Sequence, residues 1–266
     1  MERKKAFAIV ILSSVILSIP LVLSSGLVDV SQFSPGSSPA PMSGSTASVF
    51  VDPAAISDDA LQSGSYFTVY ANISLATDLY TWHVKVSWDN TLLNASEIVY
   101  GDFLAATTSP NGTSHTNPDV IAAGAENITG IFNDDGYGWV AESVLGEYEG
   151  VTGNGRLLAI EFLVVGYGST DLTISVSETM PTTLLDSAGG TITPDEMVDG
   201  YFRNKYPGDV NGDYLVGVAD VSALAGAYGS SSGQPSYNRE TDFNLDGLVG
   251  VFDVSVLAGS YGKTYP

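Results

Sequence analysis

The chain has 266 residues, with 9 basic against 30 acidic side chains, a formal net charge of −21 and no cysteine. So acidic a chain is repelled by nucleic acid and by anionic membrane surfaces, which counts against both as partners and favours cations. Without cysteine an exported protein has no disulfide framework, so its stability must come from its core and from bound metal.

The N-terminus carries Arg3-Lys4-Lys5, the apolar run Ala6–Leu23 and then Ser24-Ser25-Gly26. This order predicts a secretion signal within residues 1–26. The run is also near the minimum length for a membrane span, so a retained anchor stays open. Either way the expected location is extracellular or at the cell surface. Residues 27–48, with Ser34-Pro-Gly-Ser-Ser-Pro-Ala-Pro-Met42, read as a flexible Ser/Pro/Gly-rich tether. Asn-x-Ser/Thr triplets at Asn72, Asn94, Asn111 and Asn127 fit an exported, glycosylated protein.

Residues 49–203 show strand and turn patterns and no helical one. Tyr66–Ile73 is rich in β-formers. Leu79–Asp89 alternates: Tyr80, Trp82, Val84, Val86 and Trp88 make an apolar face, and Thr81, His83, Lys85, Ser87 and Asp89 a wet one. Ile128–Phe132, Tyr137–Ser143, Leu157–Val165 and Asp171–Val176 continue the series, separated by turn signals such as Asp134-Asp-Gly136 and Gly153-Asn-Gly155. Many short strands at this spacing predict a β-sandwich. Trp82 and Trp88 belong to its core. Trp139 is the better sugar-stacking candidate, though core packing is favoured for it too.

Residues 204–266 contain a segment written twice. Asp209-Val-Asn-Gly-Asp-Tyr-Leu-Val-Gly-Val-Ala-Asp220 returns as Asp242-Phe-Asn-Leu-Asp-Gly-Leu-Val-Gly-Val-Phe-Asp253. Oxygen donors fall at loop positions 1, 3, 5 and 12, a spacing that wraps a hard cation, and calcium is the expected one. Asp209, Asn211, Asp213 and Asp220, with the carbonyl of Leu215, form the first ligand set. Asp242, Asn244, Asp246 and Asp253, with the carbonyl of Leu248, form the second. Two calcium ions are therefore expected. Position 12 is Asp where EF-hands carry Glu. Position 6, which demands positive φ, is Tyr214 in the first loop and Gly247 in the second. The first loop is accordingly expected to be the weaker. Each loop is followed by Val-Ser-x-Leu-Ala-Gly-x-Tyr-Gly, apolar at helical spacing with a glycine stop, so each repeat is a loop and an exit helix.

Loop and helix twice, without entering helices, resembles the dockerin domain of cellulosome-type assemblies. Tyr80-x-Trp82 leading to Ser87-Trp88-Asp89, then Gly101-Asp-Phe-Leu104, Gly153-Asn-Gly-Arg-Leu-Leu-Ala-Ile-Glu-Phe162 and Asp199-Gly-Tyr-Phe202, resemble a cohesin domain over 49–203. Residues 105–125 fit that pattern poorly. The implied architecture is mainly β with a small α module: a cohesin-like jelly-roll sandwich followed by a dockerin with paired calcium loop–helix repeats. The resemblance implies that Thr81, His83 and Lys85 face a dockerin. It also implies that Val218, Ala219, Val251 and Phe252 face a cohesin, the alternative for these four being burial inside the module. It implies a clasp of Tyr206-Pro207 with Tyr265-Pro266. The implied partners are cohesin- or dockerin-bearing proteins, with head-to-tail self-association as one outcome. The short hinge Asn204–Gly208 is expected to keep the two modules of one chain from meeting.

No nucleophile elbow, phosphate loop or zinc-protease motif is present, and the acidic pairs Asp58-Asp59, Asp134-Asp135 and Glu147-x-Glu149 look like solvated turns. The expectation is a non-catalytic extracellular adaptor, of archaeal cell-surface type, connected with polysaccharide binding or degradation. Two other readings stay open: a carbohydrate-binding sandwich attached through a dockerin, and a cell-surface structural or adhesion subunit.

Overall fold

A computed structural model describes residues 47–108, 114–116, 128–144, 149–174 and 181–265. The signal or anchor segment, almost all of the tether, Asn111, Asn127, Glu147 and Pro266 lie outside the described residues. No helix among the described residues is long and apolar enough to cross a membrane.

The architecture turns on one strand. β1 (Ser48–Asp52) and β2 (Ala55–Ser57) are followed by β3, which runs 22 residues from Tyr66 to Ser87. The sequence predicts two strands here; they are one, bent where the register jumps. Leu75 and Asp78 adopt positive φ (55° and 56°), and the pairing with β9 (Val151–Val164) slips around them. Side chains pin this bulged stretch. Asn154 Oδ1 accepts the Leu75 N–H at 2.6 Å, and Asp78 accepts from Gly150 N–H at 2.7 Å and Ser187 Oγ at 2.6 Å. A bulge of this kind sharpens twist and lets a strand change partners.

Before the bend, β3 lies between β1 and β9, and β9 continues to β4 (Leu93–Tyr100). After it, β3 lies between β8 (Tyr137–Ser143) and a side shared by β11 (Thr183–Asp186) and β10 (Ser169–Ile174). β7 (Ile128–Phe132) flanks β8, and β12 (Thr191–Ile192) flanks β11. β13 (Glu196–Val198) runs parallel to β1. β14 (Gly200–Arg203) joins β10 to the parallel β2. A separate hairpin pairs β5 (Ala106–Thr108) with β6 (Ser114–Thr116). The curled sheet closes on one apolar core that includes Ile73, Leu79, Trp82, Phe162 and Phe202. Aromatic contacts cross it: Trp88 meets Phe162 edge-on at 4.9 Å, and Phe67 stacks on Phe202 at 4.8 Å. The Gly153/Gly155 pair has two uses. Gly153 takes φ +135°, and a Cβ on Gly155 would lie 2.5 Å from the Phe103 ring.

The second unit is small. Helices α1 (Val218–Ala227) and α2 (Val251–Ser260) cover a core of Val216, Leu224, Ala227, Val249 and Leu257. A core of five residues is too little to hold about 60 residues by apolar burial alone.

Candidate functional site

Each acidic loop closes on its own first and last aspartates. In the first, Asp209 accepts the N–H of Gly212 at 2.8 Å and of Tyr214 at 3.0 Å. Asp220 accepts Val210 N–H at 2.8 Å and Gly217 N–H at 2.7 Å. The second repeats this: Asp242 accepts from Asp246 and Gly247, and Asp253 from Phe243 and Gly250. Asp220 and Asp253 also stand in the first turn of the exit helices, where a carboxylate offsets the helix dipole. Asn211 and Asp213 are bonded to each other, as are Asn244 and Asp246.

Asp209, Asp220, Asp242 and Asp253 are all buried to 1% exposure or less. Buried carboxylates call for a partner of opposite charge. Neither ion pair among the described residues, Lys205–Glu240 or Arg239–Asp171, engages a loop aspartate. Three carboxylates, one asparagine amide and one backbone carbonyl per loop make an all-oxygen donor set, which fits calcium. Among the described residues no group of three or more His, Cys, Asp or Glu is gathered as a ready metal cluster. The loop carboxylates point to backbone N–H groups, and each keeps lone-pair capacity beyond those bonds.

The two repeats are stitched crosswise. Val216, in the first loop, accepts from Gly262 N–H and donates to Lys263 O, both after α2. Val249, in the second loop, does the same with Gly229 and Ser230, after α1. The chain ends of the module meet as well. Tyr206 and Tyr265 stack with ring centroids 3.7 Å apart and planes at 10°. The clasp is ring on ring between these two tyrosines; Pro266 lies outside the described residues.

The supposed hinge is a socket. Asn204 is fully buried; its amide donates to Leu61 O and Gly166 O, both at 2.9 Å, and accepts Gly168 N–H at 2.8 Å. The two units of one chain do meet, contrary to the expectation, on the side of the acidic loops. Tyr167, in the β9–β10 turn, donates its hydroxyl to Asp209 Oδ2 at 2.9 Å and stacks on Tyr214 at 4.2 Å. Arg203, at the end of β14, is 4% exposed and donates to Asp242 O at 3.3 Å, Phe243 O at 3.2 Å and Ser57 Oγ at 3.0 Å. Glu240 accepts the hydroxyls of Ser169 and Tyr201, each at 2.7 Å, and pairs with Lys205. Burial pushes the Glu240 carboxyl up, but Lys205 and the two hydroxyls outweigh it and hold the group below its ordinary value. Tyr237 is pushed up to about 12 by burial and by its bond to Asp242.

Val218, Ala219, Val251 and Phe252 stand on the outside of the helices. Val218, Val251 and Phe252 are 69%, 70% and 57% exposed, so the alternative of burial inside the module does not hold. Val221, Leu224, Val254, Leu257, Ala258 and Tyr261 line an apolar groove between α1 and α2. Position 10 of each loop opens its helix, so Val218 and Val251 stand at the N-terminal ends of α1 and α2.

The face of β3 with Thr81, His83 and Lys85 is half-buried, not wet. Thr81 and Ser143 hydroxyls bond at 2.6 Å, and the Lys85 ammonium sits 4.1 Å from the Tyr137 ring. His83 Nδ1 is 2.9 Å from Pro181 O, and its ring lies 5.3 Å from that of Trp139. Burial lowers the His83 pKa. Neighbouring strands and the segment at Pro181 cover what an alternating pattern alone reads as solvent. Trp139 is 9% exposed and packs like core. Asn72 and Asn94 sit within β3 and β4, both half-buried.

Tyr167, Tyr237, Arg203 and Glu240 are absent from the sequence-based site. One signal could have found Tyr237: it stands five residues before Asp242, while Asn204 stands five before Asp209, a break in an otherwise close repeat.

No protein-family model and no curated protein matches the chain. Among solved structures, a non-cellulosomal cohesin from the hyperthermophilic archaeon Archaeoglobus fulgidus aligns at TM-score 0.42 and 16% identity, over 60% of this chain and 91% of that one. The second type II cohesin module of the adaptor ScaA scaffoldin of Acetivibrio cellulolyticus aligns at 0.40 and 19%, over 62% and 99%. A chain of a type I cohesin–dockerin complex from Clostridium thermocellum aligns at 0.43 and 14%, over 59% and 98%.

Proposed function

We propose that the chain is an exported, non-catalytic adaptor: a cohesin-like sandwich fused to a dockerin-like module that docks in the presence of calcium. One observation carries this reading. A module with a five-residue core leaves Val218, Val251 and Phe252 in solvent at the starts of two helices whose shared groove is apolar. Large apolar side chains gathered at a surface mark an interaction site. Each helix begins from an acidic loop, so the cation that orders the loop also orders the residues at the helix start. Asp209, Asn211, Asp213, Asp220 and the Leu215 carbonyl would hold one ion. Asp242, Asn244, Asp246, Asp253 and the Leu248 carbonyl would hold the other. Calcium supplies charge neutralisation there and no reaction.

The acidic pairs serve structure. Asp58 accepts the Ala60 N–H at 2.9 Å, and Asp134-Asp135 form a 3-10 turn. The carbohydrate reading is less favoured, because Trp139 is enclosed. The partner of the helix face is a cohesin-bearing protein, and that of the sandwich a dockerin-bearing one. A second copy of this chain could supply both.

The test is capture on immobilised full chain. A cohesin-bearing protein should be retained in calcium and released by chelator, and Phe252→Ser with Ala219→Ser should abolish retention. Retention by the double variant removes the docking face. Light scattering in calcium separates head-to-tail chains from docking onto another protein.

A further inference from the structure

The first acidic loop lacks a part that the second has, and the sandwich supplies it. In the second loop, Tyr237 donates its hydroxyl to Asp242 Oδ2 at 2.7 Å, from five residues upstream and from inside the module. The corresponding residue of the first loop is Asn204. Its amide is committed to the sandwich, with Leu61 O, Gly166 O and Gly168 N–H as partners. Asp209 Oδ2 nevertheless receives a tyrosine hydroxyl, from Tyr167 at 2.9 Å. Tyr167 belongs to the turn between β9 and β10. Its oxygen also accepts Tyr206 N–H at 2.8 Å, so the hydroxyl hydrogen is directed to the carboxylate. Its ring is held flat against Tyr214, 4.2 Å away and inclined by 20°.

We infer that Tyr167 is a positioning residue for the first cation loop, so that loading of this loop and locking of the junction between the two units are one coupled event. The inference rests on the calcium reading of the loops. Two donors, the Tyr167 hydroxyl and Tyr214 N–H, converge on Asp209 Oδ2 and fix the carboxylate rotamer. A group that orients a ligand raises affinity without touching the ion. By linkage, an ion that binds only the ordered loop stabilises the contact that orders it. The second loop has its tyrosine in place within the module and does not carry this coupling through a sandwich hydroxyl.

Calcium titration calorimetry of the full chain tests this with Tyr167→Phe, which keeps the ring and removes the hydroxyl. The expected result is two ions in the wild type and one site weakened about 10- to 100-fold in the variant, the other unchanged. Tyr237→Phe should weaken the opposite site. Hydrogen exchange supplies an independent readout: calcium should slow exchange at Tyr206 N–H and across residues 165–170 of the sandwich. Wild type binding two ions, with Tyr167→Phe unchanged or with both sites weakened equally, overturns the inference while leaving the calcium reading standing. A wild type that takes up no calcium overturns both. Should Tyr167→Phe fail to fold, wild-type exchange decides: no calcium-dependent protection of residues 165–170 overturns the inference.

Discussion

Tyr214 and Leu245 hold the same left-handed backbone conformation, φ +67° and +56°, one in each acidic loop at different positions. Where the first loop has Gly212 at position 4 and Tyr214 at position 6, the second has Leu245 at position 4 and Gly247 at position 6. All four have positive φ. Each loop therefore carries one non-glycine in a conformation that costs about 1–2 kcal/mol. The asymmetry expected from Tyr214 alone is cancelled at the backbone. Leu245→Gly should stabilise the chain by about 1 kcal/mol in calcium. Tyr214→Gly should gain less, because it also removes the ring stacked on Tyr167. Chemical denaturation of both variants checks the ranking, and equal gains would contradict it.

The Glu142 carboxyl predicts a pH effect. It is 7% exposed, accepts Trp82 Nε1–H at 3.1 Å, and burial pushes it up to about 7. The folded value exceeds the unfolded one, so the fold is favoured while the group is neutral. That advantage is complete below pH ~4.5 and is lost as pH rises through about 7. The loss amounts to about 3 kcal/mol. Glu142→Gln should flatten the profile and be the more stable chain at pH ~8, and a profile identical to wild type would refute the assignment.

Glu240 works in the opposite sense. Its folded value is depressed, so its contribution is present above its ordinary carboxylate range and is lost as pH falls below it. Lys205→Met leaves this carboxylate beside two hydroxyls but without a cation, and should cost about 3 kcal/mol at neutral pH. Lys205→Met with Glu240→Gln should recover most of it. A double variant no better than the single one would show that the pair is not the cause.

Tyr265→Ala removes the ring stacked on Tyr206 and about 1 kcal/mol of aromatic contact. Its melting temperature should fall by a few degrees, read by circular dichroism in calcium, and an unchanged value would show that the clasp carries no stability.

Much of this was legible in the sequence because the cues are local. Val251, Phe252 and Gly247 owe their placement to loop spacing. Trp82, Val84 and Val86 owe theirs to a period of two, and all three are buried. Ile128–Phe132 and Tyr137–Ser143 coincide with β7 and β8. What failed was non-local. Ser74–Asp78 looks like a break, and only its bonds to Asn154, Gly150 and Ser187 make it a bend in one strand. Leu93–Tyr100 does not stand out as a strand in the sequence, since Asn94, Ser96 and Glu97 blur its alternation and its pairing with β9 shifts between Ala95 and Glu97. Tyr167 and Arg203 reach the acidic loops through tertiary contact that no spacing encodes.

β1 and β14 have one more property. β1 opens the described sandwich and runs between β3 and the parallel β13; β14 leads to the C-terminal module from between β10 and the parallel β2. On the proposed reading, a pull between an N-terminal anchor and a partner docked on the C-terminal module would load both strands. Backbone bonds lying across such a pull would yield together, as a bolt row shears, instead of opening one after another like a zip. On that reading the sandwich would carry tension between its two ends.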